Sequence, residues 1–252
     1  MNISRMNDDL AVALGWLTRL PVAFPASAQP LGMAAWAFPV VGVMLGAAGA
    51  AIFGLAGWLG APPLLCAVLA VGALTVLTGG LHEDGLADYF DGLGARGGKA
   101  EKLAAMRDSR IGSYGVLALL FVTLARIAAL AALEHALILI PALALSRASM
   151  AMLMRRYPRA RADGAAATAG ETGLAAMTVA LVIAVATVLL LAVPAGYGLA
   201  GLVLGPLLAV AVTDRIGSLA EKRFGGVTGD VYGAACLLSE AAVLVLFIMA
   251  AA

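Results

Sequence analysis

The sequence predicts an all-α protein, a single polytopic membrane bundle (residues 1–252) of about seven transmembrane helices. Of its 252 residues, 63% are hydrophobic and only 12% are charged, whereas soluble domains are nearer ~45–50% apolar and ~25% charged. The mean hydropathy of +1.00 agrees. A soluble fold of this size has too little interior to bury so many apolar side chains. The net charge of +1 also argues against a basic nucleic-acid-binding protein, so we expect no nucleic-acid partner.

Seven apolar runs are long enough to cross the ~30 Å hydrocarbon core of a bilayer, which takes about 20 helical residues. Before the first run, residues 7–20 predict an amphipathic helix that Pro21 ends. This helix either lies in the membrane interface or packs on the bundle as an extra helix. Breaks between runs fall at Pro62-Pro63, Glu134-His135 and Pro194. The predicted spans are residues 33–60, 62–81, 112–133, 136–154, 174–193, 198–213 and 233–251.

The basic residues predict the orientation of the chain in the membrane. Segments 1–31, 82–111, 155–172 and 214–232 together hold 14 of the 16 lysine and arginine residues, and the alternate connections hold none. Basic loops stay on the cytoplasmic side of a membrane. We therefore expect a multi-pass protein of the bacterial inner membrane, with its N-terminus in the cytoplasm and the lipid bilayer as its surroundings.

The acidic residues concentrate in one predicted cytoplasmic segment, residues 82–111. Six of the fifteen acidic residues fall between residues 82 and 110. On a helix that turns ~100° per residue, Asp84, Asp88 and Asp91 lie within about 60° of one another. Like charges at these spacings weaken a helix, and a bound divalent cation would offset the repulsion. Carboxylates suit Mg²⁺, Ca²⁺ or Mn²⁺. The alternative is a solvated helix neutralised by the basic residues that follow it.

Two neighbouring features extend this predicted site. His82 is placed to act as a general base near neutral pH, or alternatively serves as a structural hydrogen-bonding residue. Arg107, Ser109 and Arg110 precede the glycine-containing start of the third span. Guanidinium groups, backbone N–H groups and a helix N-terminus there would suit a phosphate, although a simple basic flank with a helix cap has the same pattern.

Two more candidates lie further along the chain. The loop that contains Gly226, Thr228 and Asp230 precedes the last span, and Asp230 would complete a metal shell with the other aspartates. A flexible loop followed by a helix cap is the alternative. Arg126 and Arg147 lie inside predicted spans, where charge is expensive and usually functional unless the side chain reaches the membrane surface. Arg147 lies deeper in its run and is the better functional candidate.

Carboxylates, arginines and glycine-rich loops on one side of a membrane bundle favour phosphoryl transfer. A metal ion would neutralise a pyrophosphate while arginines hold its charge. The competing class is a cation-coupled transporter, but its polar groups would lie near the middle of the membrane. The collection of charge on one side favours an enzyme.

Three ordered motifs resemble those of one family, the bacterial cobalamin synthases (adenosylcobinamide-GDP ribazoletransferases). The motifs span residues 79–92, 107–112 and 225–234, and Leu17–Pro21 and Ser146-Arg147 also fit. The resemblance covers residues 16–240, nearly the whole chain. It implies transfer of the adenosylcobinamide-phosphate moiety of adenosylcobinamide-GDP to α-ribazole or its 5′-phosphate. GMP is released and Mg²⁺ supports the reaction.

Carried onto this sequence, the resemblance assigns roles to particular residues. It implies that Mg²⁺ is held by Asp84, Asp88, Asp91 and Asp230. It also implies that Arg110, Ser109 and Arg147 contact phosphates. Together with the reasoning from the residues above, we predict His82, Asp91 and Arg110 as catalytic residues, and Arg107, Ser109, Arg147, Gly226 and Thr228 as substrate-binding residues.

One other enzyme family has a partial match. Asp88, Asp91 and Arg96 fit the first half of the CDP-alcohol phosphotransferase motif, but serines stand where its later aspartates belong, at Ser109 and Ser113. A phospholipid enzyme of that type is therefore the alternative enzyme, and a transporter is the alternative from another class. The sequence is also compatible with a homo-oligomer.

Overall fold

A computed structural model describes residues 3–25, 29–133 and 135–251 of the chain as a bundle of helices. Within those residues the only extended pairing is a single parallel bridge between Arg159 and Val227, and there is no strand. The prediction of an all-α, polytopic membrane fold is confirmed. The helices are α1 Ile3–Leu17, α2 Phe38–Trp58, α3 Pro63–Thr78, α4 Leu81–Gly94, α5 Lys99–Ala105, α6 Ser113–Ala132, α7 Leu139–Arg156, α8 Ala165–Ala169, α9 Leu174–Thr187, α10 Gly198–Phe224 and α11 Gly229–Ala251.

Three irregular helical segments complete the described chain. Leu31–Ala37 is a 3₁₀ helix that leads into α2, and Ala136–Ile138 is a shorter one that leads into α7. Val188–Tyr197 is a π-helical stretch that joins α9 to α10 and contains Pro194. Of the predicted break at Glu134-His135, Glu134 lies outside the described residues.

Six segments are long and apolar enough to cross a membrane, and a bent pair of helices makes a seventh if it is counted as one span. The bent pair is α3 and α4, which meet at 88°. Gly79 and Gly80 make this bend because both adopt left-handed conformations, with φ of +66° and +68°, which end a helix. The predicted span 62–81 therefore stops at Thr78. The six segments are Leu31–Trp58, Ser113–Ala132, Ala136–Arg156, Leu174–Tyr197, Gly201–Phe224 and Gly229–Ala250.

Helix α7 is the centre of the bundle, since 89% of its membrane-crossing segment is buried by the protein itself. Glycines in α2 allow close approach to it: a Cβ atom on Gly42 would lie 2.4 Å from the Leu143 carbonyl oxygen. Helices α6, α9 and α10 are much more exposed, as expected for helices on a lipid-facing surface.

The predicted N-terminal helix forms and packs on the bundle. It runs from Ile3 to Leu17, so it ends before Pro21. Its buried side chains include Val12 and Leu17. The indole N–H of Trp36, in the 3₁₀ helix, donates to Oδ2 of Asp9 at 2.8 Å. Of the two alternatives for this segment, the packed extra helix fits these contacts.

The four basic segments of the sequence meet at one end of the bundle, which we call the basic end. Helices α7 and α10 end there, and α6, α9 and α11 begin there. Contacts between the segments hold this end together. They are the Arg107–Asp163 ion pair at 2.7 Å, the Arg159–Val227 bridge and the Arg161–Asp230 ion pair at 3.5 Å. Segment 1–31 is fixed to the end of α3 by the hydrogen bond from the Arg19 N–H to the Leu77 carbonyl at 2.8 Å.

Candidate active site

A cavity of about 680 Å³ at the basic end brings together much of the predicted site. Its lining includes Gly79 and Gly80 of the α3–α4 bend, and Asp84 and Asp88 of α4. The 106–111 segment contributes Arg107, Asp108 and Ser109, and Arg19 also lines the cavity. Residues from three separate parts of the chain therefore share one depression.

Two carboxylates of this cavity have no partner within the described part of the chain. Asp84 is exposed, Asp88 is half-buried, and neither side chain makes a hydrogen bond or an ion pair there. Asp88 lies close enough to Asp84, Asp91 and Asp230 to interact electrostatically with each of them. The predicted acidic cluster thus exists, and two of its members are open to a ligand.

The close crossing of α4 and α11 places Asp88 beside Asp230. A Cβ atom on Gly85 would lie 2.9 Å from the Asp230 carbonyl oxygen, and one on Gly233 would lie 3.1 Å from that of His82. Only glycine allows backbones to approach this closely. At its other end, α4 is fixed by the buried Lys102, whose ammonium group donates to the carbonyls of Leu93 and Ala95.

Asp91, the third predicted metal ligand, has a different environment. Its carboxylate accepts hydrogen bonds from the backbone N–H groups of Gly112 and Gly115, at 2.7 and 2.8 Å. It therefore caps the start of α6, where a carboxylate interacts favourably with the helix dipole. The sequence predicts a phosphate at this helix N-terminus, but the structure fills that position with the protein's own carboxylate.

Asp230 is already held by two neighbours. The Thr228 hydroxyl donates to its Oδ2 at 3.0 Å, and Arg161 pairs with the same oxygen at 3.5 Å. Thr228 is 1% exposed and so is out of contact with solvent. Gly226 has a φ of +150°, and a Cβ atom there would lie 2.3 Å from the Pro158 carbonyl oxygen. Gly226 and Thr228 thus make structural contacts within the protein, and their contacts with a substrate stay a prediction.

The predicted phosphate-binding arginines lie apart from each other. Arg107 lines the cavity and pairs with the exposed Asp163. Arg110 lines a separate, smaller depression of about 350 Å³ and pairs with Asp108 at 2.8 Å. This hydrogen-bonded pairing with Arg110 lowers the pKa of the Asp108 carboxyl to about 2. Arg107 and Ser109 are therefore brought to the cavity, whereas Arg110 is not.

The position of Arg147 differs most from the sequence prediction, which made this residue a phosphate ligand. It is 2% exposed and lies inside a network of buried charges. Its guanidinium donates to Glu240 and to the Ser146 hydroxyl. Arg126 also donates to Glu240, at 2.8 Å, and pairs with Glu83 at 3.3 Å. Buried charges need such partners, so Arg147 stabilises the bundle interior and does not line the cavity.

His82 lies beside this network and is also absent from the cavity wall. It is 1% exposed, and neither ring nitrogen has a partner in the described part of the chain. Its position beside Arg126, Arg147 and Glu240 gives no support to a general base at the cavity, and that role stays a prediction.

Sequence reasoning missed two residues that matter here. Glu240 is the acidic centre of the buried network. The sequence feature that could have identified it is an acidic residue in the middle of an apolar run. Arg19 lines the cavity and has no acidic partner within the described ranges. Its signal was the Leu17–Pro21 motif, to which no role was given.

The donor atoms of the cavity could supply some, but not all, of the ligands of a hard divalent cation. No group of three Asp, Glu, His or Cys side chains among the described residues is arranged to hold a metal ion. Asp84 and Asp88 nevertheless supply unpaired carboxylate oxygens. Mg²⁺ is commonly bound by one or two carboxylates, with phosphate and water oxygens as its other ligands. The residues thus fit a cation that is shared with a phosphate-bearing substrate.

The fold and the cavity define an integral membrane protein with an acidic, arginine-lined site at one end of its helical bundle. The chain belongs to the cobalamin-5-phosphate synthase family, whose sequence model matches residues 9–248. The motif resemblance is thereby confirmed. Neither the CDP-alcohol phosphotransferase alternative nor the transporter gains support.

Similar proteins over nearly their full length carry the name adenosylcobinamide-GDP ribazoletransferase. The protein from Azorhizobium caulinodans is 44% identical, with 97% of this chain and 96% of the relative covered. That from Bradyrhizobium diazoefficiens is 40% identical, with 97% and 93% covered. That from Xanthobacter autotrophicus is 41% identical, with 93% of each covered. No solved structure matches the chain.

Proposed function

We propose that this protein transfers the adenosylcobinamide-phosphate moiety of adenosylcobinamide-GDP to α-ribazole or α-ribazole 5′-phosphate. This is a late step of cobalamin biosynthesis. Membership of the family and the shared name of the relatives support it. The observation that carries it is that two unpaired carboxylates line the same cavity as two arginines and a serine.

In the proposed reaction, the hydroxyl group of the ribazole attacks the phosphorus atom that is attached to cobinamide. A new phosphorus–oxygen bond forms, the bond between the attacked phosphorus and the bridging oxygen of the pyrophosphate breaks, and GMP leaves with that oxygen. The hydroxyl proton is released. Because charge builds up on phosphate oxygens, the protein's contribution is positioning and electrostatic stabilisation.

Arg19, Arg107 and Ser109 are the residues that we propose to contact the pyrophosphate. All three line the same cavity as Asp84 and Asp88. Guanidinium groups bind phosphate oxygens through paired N–H donors. Arg19 is held in place by its backbone, since its N–H donates to the Leu77 carbonyl at 2.8 Å.

Asp84 and Asp88 would hold a Mg²⁺ ion, with Asp230 beside them. Bound there, Mg²⁺ would neutralise the pyrophosphate and stabilise the GMP leaving group. Without a cation, two unpaired carboxylates would repel a substrate that carries negative charge at the same place.

The orientation of the protein follows the same proposal. The basic end would face the cytoplasm of the cell, in the inner membrane, with the N-terminus on that side. The cavity would then open toward the compartment that supplies nucleotide substrates, while the apolar helices keep the enzyme in the bilayer.

The decisive experiment supplies the protein in purified membranes with adenosylcobinamide-GDP, α-ribazole and Mg²⁺. We expect equal amounts of GMP and the cobalamin product, and loss of both when Mg²⁺ is chelated. Release of CMP from a CDP-alcohol donor would instead support the phospholipid enzyme. Uptake of substrate into vesicles without GMP release would support a transporter.

A further inference from the structure

A second large concave surface lies on the lipid-facing side of the bundle, away from the cavity at Asp84. It is a groove of about 830 Å³ between α7, α9 and α10. Helices α9 and α10 each pack on α7, but within the described residues they make at most marginal contact with each other. The floor of the groove is therefore α7, and its two walls diverge.

The lining of the groove changes from apolar to charged toward the basic end. Its apolar part comes from methionine, leucine, valine and alanine side chains, among them Leu181 on α9 and Ala211 on α10. Arg155, Arg156 and Asp214 line its charged part, at the end where α7 finishes. A single groove thus has an apolar section within the membrane-crossing helices and a basic section at their end.

The two arginines are not equivalent. Nε of Arg156 pairs with Asp214 at 2.8 Å, so its charge is balanced. Arg155 is exposed, donates only one long hydrogen bond of 3.5 Å to the Thr172 carbonyl, and has no carboxylate partner in the described part of the chain. One positive charge is therefore left over at the charged end of the groove.

We propose that this groove binds an anionic phospholipid, with an acyl chain between α9 and α10 and the phosphate group at Arg155. The apolar section matches a hydrocarbon chain, because its methionine, leucine, valine and alanine side chains offer van der Waals contacts to an acyl chain inside the bilayer. The basic section matches a negatively charged headgroup, because arginines next to a membrane surface attract anionic lipids. The site is separate from the transfer reaction and does not depend on the proposed function.

The test measures binding of one defined lipid to the whole protein. Delipidated protein in a mild detergent is titrated with phosphatidylglycerol or with phosphatidylcholine, and bound lipid is counted by native mass spectrometry. We expect phosphatidylglycerol to bind more tightly, and Arg155→Gln to lower its affinity roughly fivefold. The matched control is Arg223→Gln, which removes an exposed charge of the same kind from α10 outside the groove and should leave the affinity unchanged.

A second variant tests the apolar section without altering charge. Ala211→Trp places an indole ring in the groove and should reduce binding of phosphatidylglycerol while Arg155 remains present. Equal binding of the two lipids, or full phosphatidylglycerol affinity in both Arg155→Gln and Ala211→Trp, would overturn the proposal. Conversion of a dimer to a monomer by Ala211→Trp, without a change in lipid binding, would assign the groove to a second copy of the chain and would also overturn it.

Discussion

Glu83 and Asp84 are neighbours at the start of α4 and both line the cavity, yet only the carboxylate of Glu83 has partners within the described part of the protein. The Glu83 side chain is 16% exposed, pairs with Arg126 and accepts a hydrogen bond from Thr75 at 3.1 Å. Asp84 is exposed at the cavity and has no partner within the described residues. One residue further along the helix therefore separates a carboxylate whose Oε1 is paired from a carboxylate without a partner, although the second oxygen of Glu83, Oε2, also has no hydrogen-bond partner in the described part of the chain.

The contrast extends to the regions around them. The buried network balances two arginines, Arg126 and Arg147, against Glu83 and Glu240. The cavity leaves Asp84, Asp88 and Arg19 unbalanced. Charges in a low-dielectric interior must be paired inside the protein, because solvent is absent. A ligand can pair with charges at an accessible cavity. This difference distinguishes residues that stabilise the fold from residues that are candidates for a functional role.

The largest effect should come from the open carboxylates. Asp84→Asn and Asp88→Asn should each lower GMP release by ~10³-fold or more, because each removes a proposed cation ligand without changing side-chain size. The thermal midpoint of the purified variants should stay close to that of the parent protein, since neither carboxylate has a partner to lose. Both quantities are measured on the same preparations, by chromatography of GMP and by thermal denaturation in detergent.

A matched control for these variants is Glu221→Gln, which removes an exposed carboxylate from α10 outside the cavity. It should leave both activity and thermal midpoint unchanged. Near-normal turnover in both aspartate variants would rule out the cation site.

The paired carboxylate should behave in the opposite way. Glu240→Gln leaves Arg126 and Arg147 with one buried acid between them, and should lower the free energy of unfolding by about 3–5 kcal/mol. Replacing Arg147 together with Glu240 by leucine should recover much of this loss, because an apolar pair needs no charge balance. The ion pair between Arg126 and Glu83 is kept in this double variant. If Glu240→Gln unfolds at the same temperature as the parent, the network does not stabilise the bundle.

Local pattern was enough to predict the membrane helices and the acidic face of α4. Runs of apolar residues and the four-residue spacing of Asp84 and Asp88 need no knowledge of distant contacts. The α3–α4 bend was missed because the predicted run continued through Gly79 and Gly80, whose left-handed conformations end α3. Glycines commonly end helices, but the predicted span followed the apolar run and included both of them.

Long-range pairing explains why sequence reasoning did not indicate the surroundings of two site residues, Arg147 and Asp91. Arg147 meets Glu240, 93 positions away, and Asp91 meets Gly112, 21 positions away. Because a charge inside a membrane is energetically expensive, an arginine inside a span predicts a functional role. The neighbouring sequence does not show whether the partner of that arginine is a substrate or a glutamate. For the same reason, the neighbouring sequence did not indicate that Arg19 lies close to the start of α4.

Arg19 provides a smaller, sharper test of the open region. Arg19→Gln should raise the KM for adenosylcobinamide-GDP about tenfold with a smaller change in kcat, because it removes a charged contact worth about 1.4 kcal/mol. Arg19→Lys should recover part of the loss, since it keeps the charge but not the guanidinium fork. Arg5→Gln, which removes an exposed arginine from α1 outside the cavity, is the control and should leave the KM unchanged. An unchanged KM in Arg19→Gln would remove Arg19 from the phosphate site.

Asp91 lies between the two kinds of region, and its variants decide to which it belongs. Asp91→Asn keeps one oxygen acceptor, so one of the N–H groups of Gly112 and Gly115 loses its partner. If Asp91 is a cap, the free energy of unfolding should fall by about 1 kcal/mol and turnover by no more than about threefold. Gly112→Ala should have a similar effect, because its Cβ atom would lie 2.4 Å from the Asp91 carboxylate. Gly72→Ala, where a Cβ atom meets no neighbour within 4 Å, is the control for an added methyl group. A ~10³-fold loss of turnover in Asp91→Asn at unchanged stability would instead group Asp91 with Asp84 and Asp88 as a third cation ligand, as the spacing in the sequence predicts.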